Sequence, residues 1–243
     1  MTTPALTPDE RSGIVRDSLA VGVATGAYGF GFGAVAVASG LSILQTCALS
    51  LLMFTGASQF ALAGVVAAGG APLSGAATAL LLGTRNTLYG LRMAPLLEWR
   101  GWRRAAAAHL LIDESTAMSV GRGGTAAARL GYLTTGLSVF VLWNLATAIG
   151  AVAGDAIGDP RTFGLDAAVG AAFLALLWPR LKDRRNVVVA VLAAAVALSM
   201  VPLAPPGVPV LAAGGVALLV GVLSRRDDPT EIPGPDDVAG GAG

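Results

Sequence analysis

The 243-residue chain is 54% hydrophobic and 13% charged, with a net charge of +1 and a mean hydropathy of +0.70. A soluble domain carries about 25% charged residues, and a near-neutral balance argues against nucleic-acid binding or a polybasic lipid anchor. The single cysteine, Cys47, has no intrachain partner and reads as a small packing residue, not a redox or metal group.

Charged residues are clustered, leaving apolar runs at 19–38, 42–69, 72–97, 131–153, 164–177, 187–201 and 208–223. These are continuous Ala, Leu, Val and Gly blocks without the alternation of a β-barrel, so the fold class is all-α, a polytopic helical integral membrane protein of about six to eight membrane segments. Three regions are expected: a polar N-terminal tail at 1–18, a transmembrane helical transport domain at 19–223, and a disordered Pro-, Gly- and acid-rich tail at 224–243. The first apolar run is too long for a signal-peptide core and shows no cleavage site, so it is expected to remain in the mature protein.

In the first span Gly22, Gly26, Gly29 and Gly33 lie on one helical stripe, which lets another helix approach closely. The sequence GFGFG inside it superficially resembles a nucleotide loop, yet no strand precedes it, and packing is the favoured reading.

The run 42–69 is longer than a bilayer needs, and Thr55, Gly56, Ala57, Ser58 and Gln59 sit at its centre. This predicts a broken or re-entrant helix near residues 55–60, of the kind that lines substrate sites in transporters. In the run 72–97, Arg85 falls near mid-bilayer, where an unpaired charge costs at least about 2.5 kcal/mol. Arg85 is therefore expected to face protein or a water-filled cavity, with the Thr55–Gln59 break as its neighbour. The bland alternative has Arg85 snorkelling and Gln59 bonding an adjacent helix.

The polar stretch that follows carries Arg100, Arg103, Arg104, Arg122 and Arg129. Residues 105–120 are helix formers, which places His109 and Asp113 four apart on one face, with Glu114 beside them. No second His and no paired Cys supports a metal site. The segment is either a solvated cytoplasmic helix or a short helix packed on the bundle that offers Asp113 and Glu114 as proton-titrating groups. Asn144 lies near mid-depth of the next span, where interhelical bonding and substrate contact are both open. Asp166 opens the helix after a turn-rich connection and suits an N-terminal capping role, or a proton-coupling one. Basic turns at 121–129 and 180–186 orient the second half with these loops and the C-terminus in the cytoplasm. The first half stays ambiguous. Three full spans after a cytoplasmic N-terminus would export Arg100, Arg103 and Arg104, so either 42–69 is partly re-entrant, 105–120 crosses, or the N-terminus is external.

Four stretches, GFGFGAVAVASGLSILQTCALSLLMFTGASQFALAGVVAAGGAPLSGA, TRNTLYGLRMAPLL, LLIDESTAMS and FGLDAAVGAAFLALLWP, occur in the order seen in the AzlC-like family, which this chain resembles over most of residues 19–180. The family is the large subunit of bacterial branched-chain amino acid exporters. It commonly shows Asn-x-Arg-His around the arginine, where this chain has Gly83-Thr84-Arg85-Asn86, so only Arg85 carries over. The resemblance implies a multi-pass protein of the bacterial plasma membrane that exports aliphatic amino acids with a small AzlD-like membrane subunit. Arg85, Thr55, Ser58, Gln59 and Asn144 are the expected substrate contacts, and Asp113, Glu114 and Asp166 the proton-coupling candidates. No nucleotide motif is present, so an ion gradient, the substrate gradient or another polypeptide must supply the drive. An enzyme is not expected, nor a cofactor or metal. The rival reading is a structural membrane subunit whose partner holds the site, with Arg85 in an intersubunit ion pair.

Overall fold

Two helices run side by side through the centre of the fold: α1 (Pro8–Ala38) and α8 (Thr125–Ile157). Both are long and apolar enough to cross a membrane, and only 39% and 33% of their most apolar windows are buried. In water that outer surface would be strongly unfavourable, whereas in hydrocarbon it is the natural lipid-facing side. The computed structural model describes residues 6–157, 174 and 177–224, and every regular element among them is helical.

The glycine stripe is what holds α1 to α8. Gly22 faces Ser138, Gly26 faces Leu142, Gly29 faces Trp143 and Gly33 faces Thr147. A Cβ on Gly26 would fall 2.5 Å from Leu142 Cβ, and one on Gly29 or Gly33 would overlap the carbonyls of Trp143 and Thr147. Gly150 and Gly154 answer from α8 against Phe30 and Ala34. Partners advance together along the chain, so the two helices are parallel, and their N-termini lie at the same end. The stripe is thus already occupied within the chain and does not itself call for a second subunit.

Local signals set the ends. Thr7 and Glu10 form a reciprocal capping box with Pro8 at the first turn, which starts α1 inside the stretch expected to be a polar tail. Ser42 and Gln45 do the same for α2 (Ile43–Leu52). Six shorter helices connect α1 to α8: α2, α3 (Gly56–Ala67), α4 (Pro72–Gly83), α5 (Arg85–Leu97), α6 (Gly101–Ala108) and α7 (Asp113–Ala117).

The run 42–69 is indeed interrupted, at Met53–Thr55, just before the expected position. The run 72–97 is also interrupted, at Thr84, whose backbone stays helical and whose hydroxyl bonds Leu81 O at 2.6 Å. That makes α4 and α5 one kinked rod. Residues 105–120 are not one helix. The chain breaks at His109–Ile112, so His109 and Asp113 do not share a helical face as the spacing predicts.

Contacts with α8 fix the direction of each piece. Ser50 of α2 bonds Thr147 and Phe54 in the break stacks edge-on against Phe140 at 5.1 Å, so α2 runs antiparallel to α8. From the break, α3 turns back, with Phe60 against Phe32 and antiparallel contacts to α4 through Ser58 with Ala79 and Leu62 with Gly75. The α4–α5 rod then runs the length of the bundle to Leu97, whose carbonyl accepts from Arg129 Nε at 2.7 Å near the start of α8. From that end α6 climbs, with Ala107 O bonded by Tyr132 OH and Leu110 against Gly136. Finally α7 descends, from Glu114 opposite Thr25 to Met118 beside Gly131. Two helical hairpins, α2–α3 and α6–α7, therefore enter from opposite ends, and their tips meet near the middle of α8.

The second compact unit, Arg180–Gly243, contains α9 (Arg184–Met200) and α10 (Val208–Ser224), which pack on each other. A short 3-10 turn spans Trp178–Lys182. Asp166, nearly all of the run 164–177 and the tail beyond Ser224 lie outside the described residues.

Candidate functional site

Polar groups gather where the two hairpin tips meet the kink of the α4–α5 rod. Arg85, the first residue of α5, donates from Nη1 to Asp113 Oδ2 at 3.0 Å, and each side chain is 33% exposed. The next residue, Asn86, donates from Nδ2 to Leu111 O at 3.2 Å. Consecutive side chains of one helix start thus grip consecutive parts of the α6–α7 break. Arg85 Nε and Asn86 Oδ1 are buried with no hydrogen-bond partner among the described residues. One spare donor and one spare acceptor stand on adjacent residues.

The α6–α7 break is held from three other elements, α2, α5 and α8. His109 Nε2 lies 2.9 Å from Leu51 O, and because a carbonyl can only accept, that nitrogen carries the proton. The imidazole packs against Phe54 and Phe140, with ring centroids 6.3 and 5.5 Å away. Tyr132 of α8, and Arg85 and Asn86 of α5, supply the other ties. Ser115 closes the break from within, accepting from Ile112 N and donating to Leu110 O at 2.7 Å. Glu114 faces α1, where Thr25 Oγ1 approaches its Oε1 at 3.5 Å.

The first break is closed differently. Gln59, fully buried, donates from Nε2 to Met53 O at 2.7 Å and towards Ser50 O at 3.4 Å, while its Oε1 accepts from Trp143 Nε1 at 3.1 Å. One of these bonds takes up the Ser50 carbonyl at the end of α2, and the other joins Thr55 N on Met53 O. Gln59 is therefore a staple of the fold. Ser58, also buried, donates to Ala79 O at 2.8 Å. Thr55 Oγ1 and Asn144 Oδ1 are buried without partners among the described residues, and Asn144 Nδ2 folds back on Phe140 O at 2.8 Å.

The expected neighbourhood of Arg85 and the Thr55–Gln59 break is thus rearranged. Ser58 adjoins Gly83, where an added Cβ would stand 3.7 Å from Ser58 Oγ, but the charge of Arg85 is met by Asp113. Asn86, His109, Tyr132 and Trp143 complete the arrangement. For Asn86 the only sequence signal is its place beside the intramembrane arginine. No group of three or more His, Cys, Asp or Glu that could hold a metal ion occurs among the described residues.

The family described as AzlC protein matches residues 20–157, which contain every residue of this polar cluster. An uncharacterized membrane protein of Archaeoglobus fulgidus (strain ATCC 49558 / DSM 4304 / JCM 9628 / NBRC 100126 / VC-16) is 34% identical over 172 residues, covering 70% of this chain and 75% of that protein. No solved structure matches.

Proposed function

The chain belongs to the AzlC family, and from that premise we propose that it exports branched-chain or similar aliphatic amino acids across the bacterial plasma membrane. It is a multi-pass subunit working with a small AzlD-like partner and driven by an ion gradient. The observation that carries the reading is the α5 start. A zwitterion needs a donor set for its carboxylate and an acceptor for its ammonium, and Arg85 and Asn86 hold one of each in reserve.

The substrate carboxylate competes with Asp113 for the Arg85 guanidinium, whose planar fork can grip two oxygens. Displaced Asp113 is then available to the ammonium. Apolar neighbours such as Met93 and Leu111 accept the aliphatic chain. Glu114, set against Thr25 and not bonded to a cation among the described residues, is the group we assign to proton exchange. The Arg85–Asp113 bond closes within one chain, which weighs against a purely structural subunit tied to its partner through Arg85.

The test is efflux of labelled leucine from vesicles carrying this chain, the small subunit, or both, normalised to folded protein. Export is expected only with both. Arg85→Ala should lower it about 100-fold and Arg85→Lys about 10-fold, the loss of a charge-assisted bidentate contact against the loss of its geometry alone. Glu114→Gln should make efflux insensitive to a collapsed proton gradient. Unchanged efflux per molecule in Arg85→Ala removes this residue from the site.

A further inference from the structure

We propose that the substrate crosses between two opposed half-membrane hairpins, α2–α3 and α6–α7, whose touching tips form the closed barrier at mid-depth. The proposal rests on the export reading for what passes, and on geometry alone for the path.

Length excludes the simplest alternative. The ten residues of α2 and twelve of α3 rise about 15 and 18 Å, and a hydrocarbon core needs about 30 Å. Each arm reaches about halfway, and the still shorter α6 and α7 reach no further. Unlike them, α1, α8 and the α4–α5 rod are long enough to cross. Because α1 and α8 are parallel, the chain between them must return across the membrane an odd number of times, and the rod does so once. The hairpins then add none, one entering from each face.

This resolves the charge distribution as well. Leu97, Glu98, Trp99 and Arg129 meet at the start of α8, so Arg100, Arg103, Arg104, Arg122 and Arg129 share one face with the N-terminus. A single face holding the arginines is what the positive-inside rule requires of the cytoplasmic side.

The hairpins are inverted in order and direction. In each, a full-length element precedes the hairpin: α1 before α2–α3, the rod before α6–α7. Ser58 and Ser115 both stand third in the second arm, and each hydroxyl donates to a backbone carbonyl. At the junction the tips touch through His109 Nε2 with Leu51 O and through the Phe54, His109 and Phe140 rings. Below the second tip, an apolar cleft of about 170 Å³ runs from Leu111 to Trp99 and Arg104 at the arginine-rich face. Parting the tips would join this cleft to the opposite side.

Single cysteines at Ser42, Ala71, Arg100 and Gly123, in a Cys47→Ala background, read the path with a membrane-impermeant maleimide applied to right-side-out and inside-out vesicles. Positions 42 and 71 should label from one face, and 100 and 123 from the other. Labelling of 42 and 71 from opposite faces, or of 100 and 123 from opposite faces, overturns the hairpins. For the barrier, Phe54→Cys with His109→Cys is bridged by a bifunctional methanethiosulfonate. Efflux should fall at least 10-fold and recover on reduction. If this pair does not insert, His109→Cys with Phe140→Cys pins the same tip to α8. Full-rate efflux from a bridged, inserted protein overturns the barrier. The expected labelling together with no amino acid efflux upholds the hairpins and sinks the export reading instead.

Discussion

The two hairpins reach the same depth by opposite means. The first is closed by its own fully buried Gln59, whose amide bonds Met53 O and Ser50 O and whose oxygen is fixed by Trp143 of α8. The second has its own Ser115 within it but is tied mainly from outside, by Tyr132, Asn86, Arg85 and, at its very tip, the His109 contact with Leu51 O. A break closed mainly by its own buried side chain needs only Trp143 to stay in place. A break tied to other elements moves when those ties exchange, and its Arg85 tie is the one the proposed substrate carboxylate would compete for. On the proposed path, the difference would make α2–α3 the fixed half of the barrier and α6–α7 the moving half.

The largest effect should come from attacking the fixed half. Gln59→Leu strands the Trp143 indole N–H in an apolar interior and leaves Met53 O with Thr55 N alone, so at about 1 to 3 kcal/mol for an unsatisfied buried group the variant should lose roughly 1 to 3 kcal/mol. Thermal unfolding of detergent-purified protein measures it, and a loss below about 1 kcal/mol would mean the first hairpin is not self-stapled. Next come the ties of the moving half. Tyr132→Phe and Asn86→Ala each remove one bond between elements and should cost about 0.6 to 1.7 kcal/mol, the range for such bonds in membranes. Both should change efflux more than stability, since they set how readily the tip moves. Equal proportional losses in both would break the distinction. The smallest effect separates the paired serines. Ser115→Ala releases Ile112 N and Leu110 O together, whereas Ser58→Ala releases one carbonyl, so Ser115→Ala should be the more damaging by about 0.5 to 1 kcal/mol.

What the sequence makes legible follows from how local each signal is. A glycine every third or fourth residue announces a close helix contact, and the polar Thr55–Gln59 stretch announces an interrupted helix. Neither says with what. Gly29 faces Trp143 and Gly33 faces Thr147, and a stripe built for a second subunit would read the same. Arg85 stands out because charge in hydrocarbon is costly, yet its partner Asp113 belongs to another broken segment, and nothing local couples the two. The i, i+4 spacing of His109 and Asp113 misleads because it assumes an unbroken helix. The break at His109–Ile112 contains no Gly or Pro to mark it, and it is held open by Ser115 and by groups from α2, α5 and α8. Likewise the kink at Thr84 follows Gly83 but shows no other breaker, and its form is settled by packing.

The parallel α1–α8 pair also bears on how the protein is made. Gly22 meets Ser138 and Gly33 meets Thr147, so more than a hundred residues must be synthesised before α1 acquires the surface its glycines fit. At about 5 to 20 residues per second, α1 waits on the order of ten seconds in the bilayer with its narrow face open to any small-residue helix nearby. The ribosome must emit both hairpins during that interval, and neither can seat its tip until α8 supplies Phe140 and Trp143. Assembly of the centre is therefore completed late, by the arrival of α8, and a chain truncated before residue 125 would lack Tyr132, Phe140 and Trp143, the anchors that both tips share.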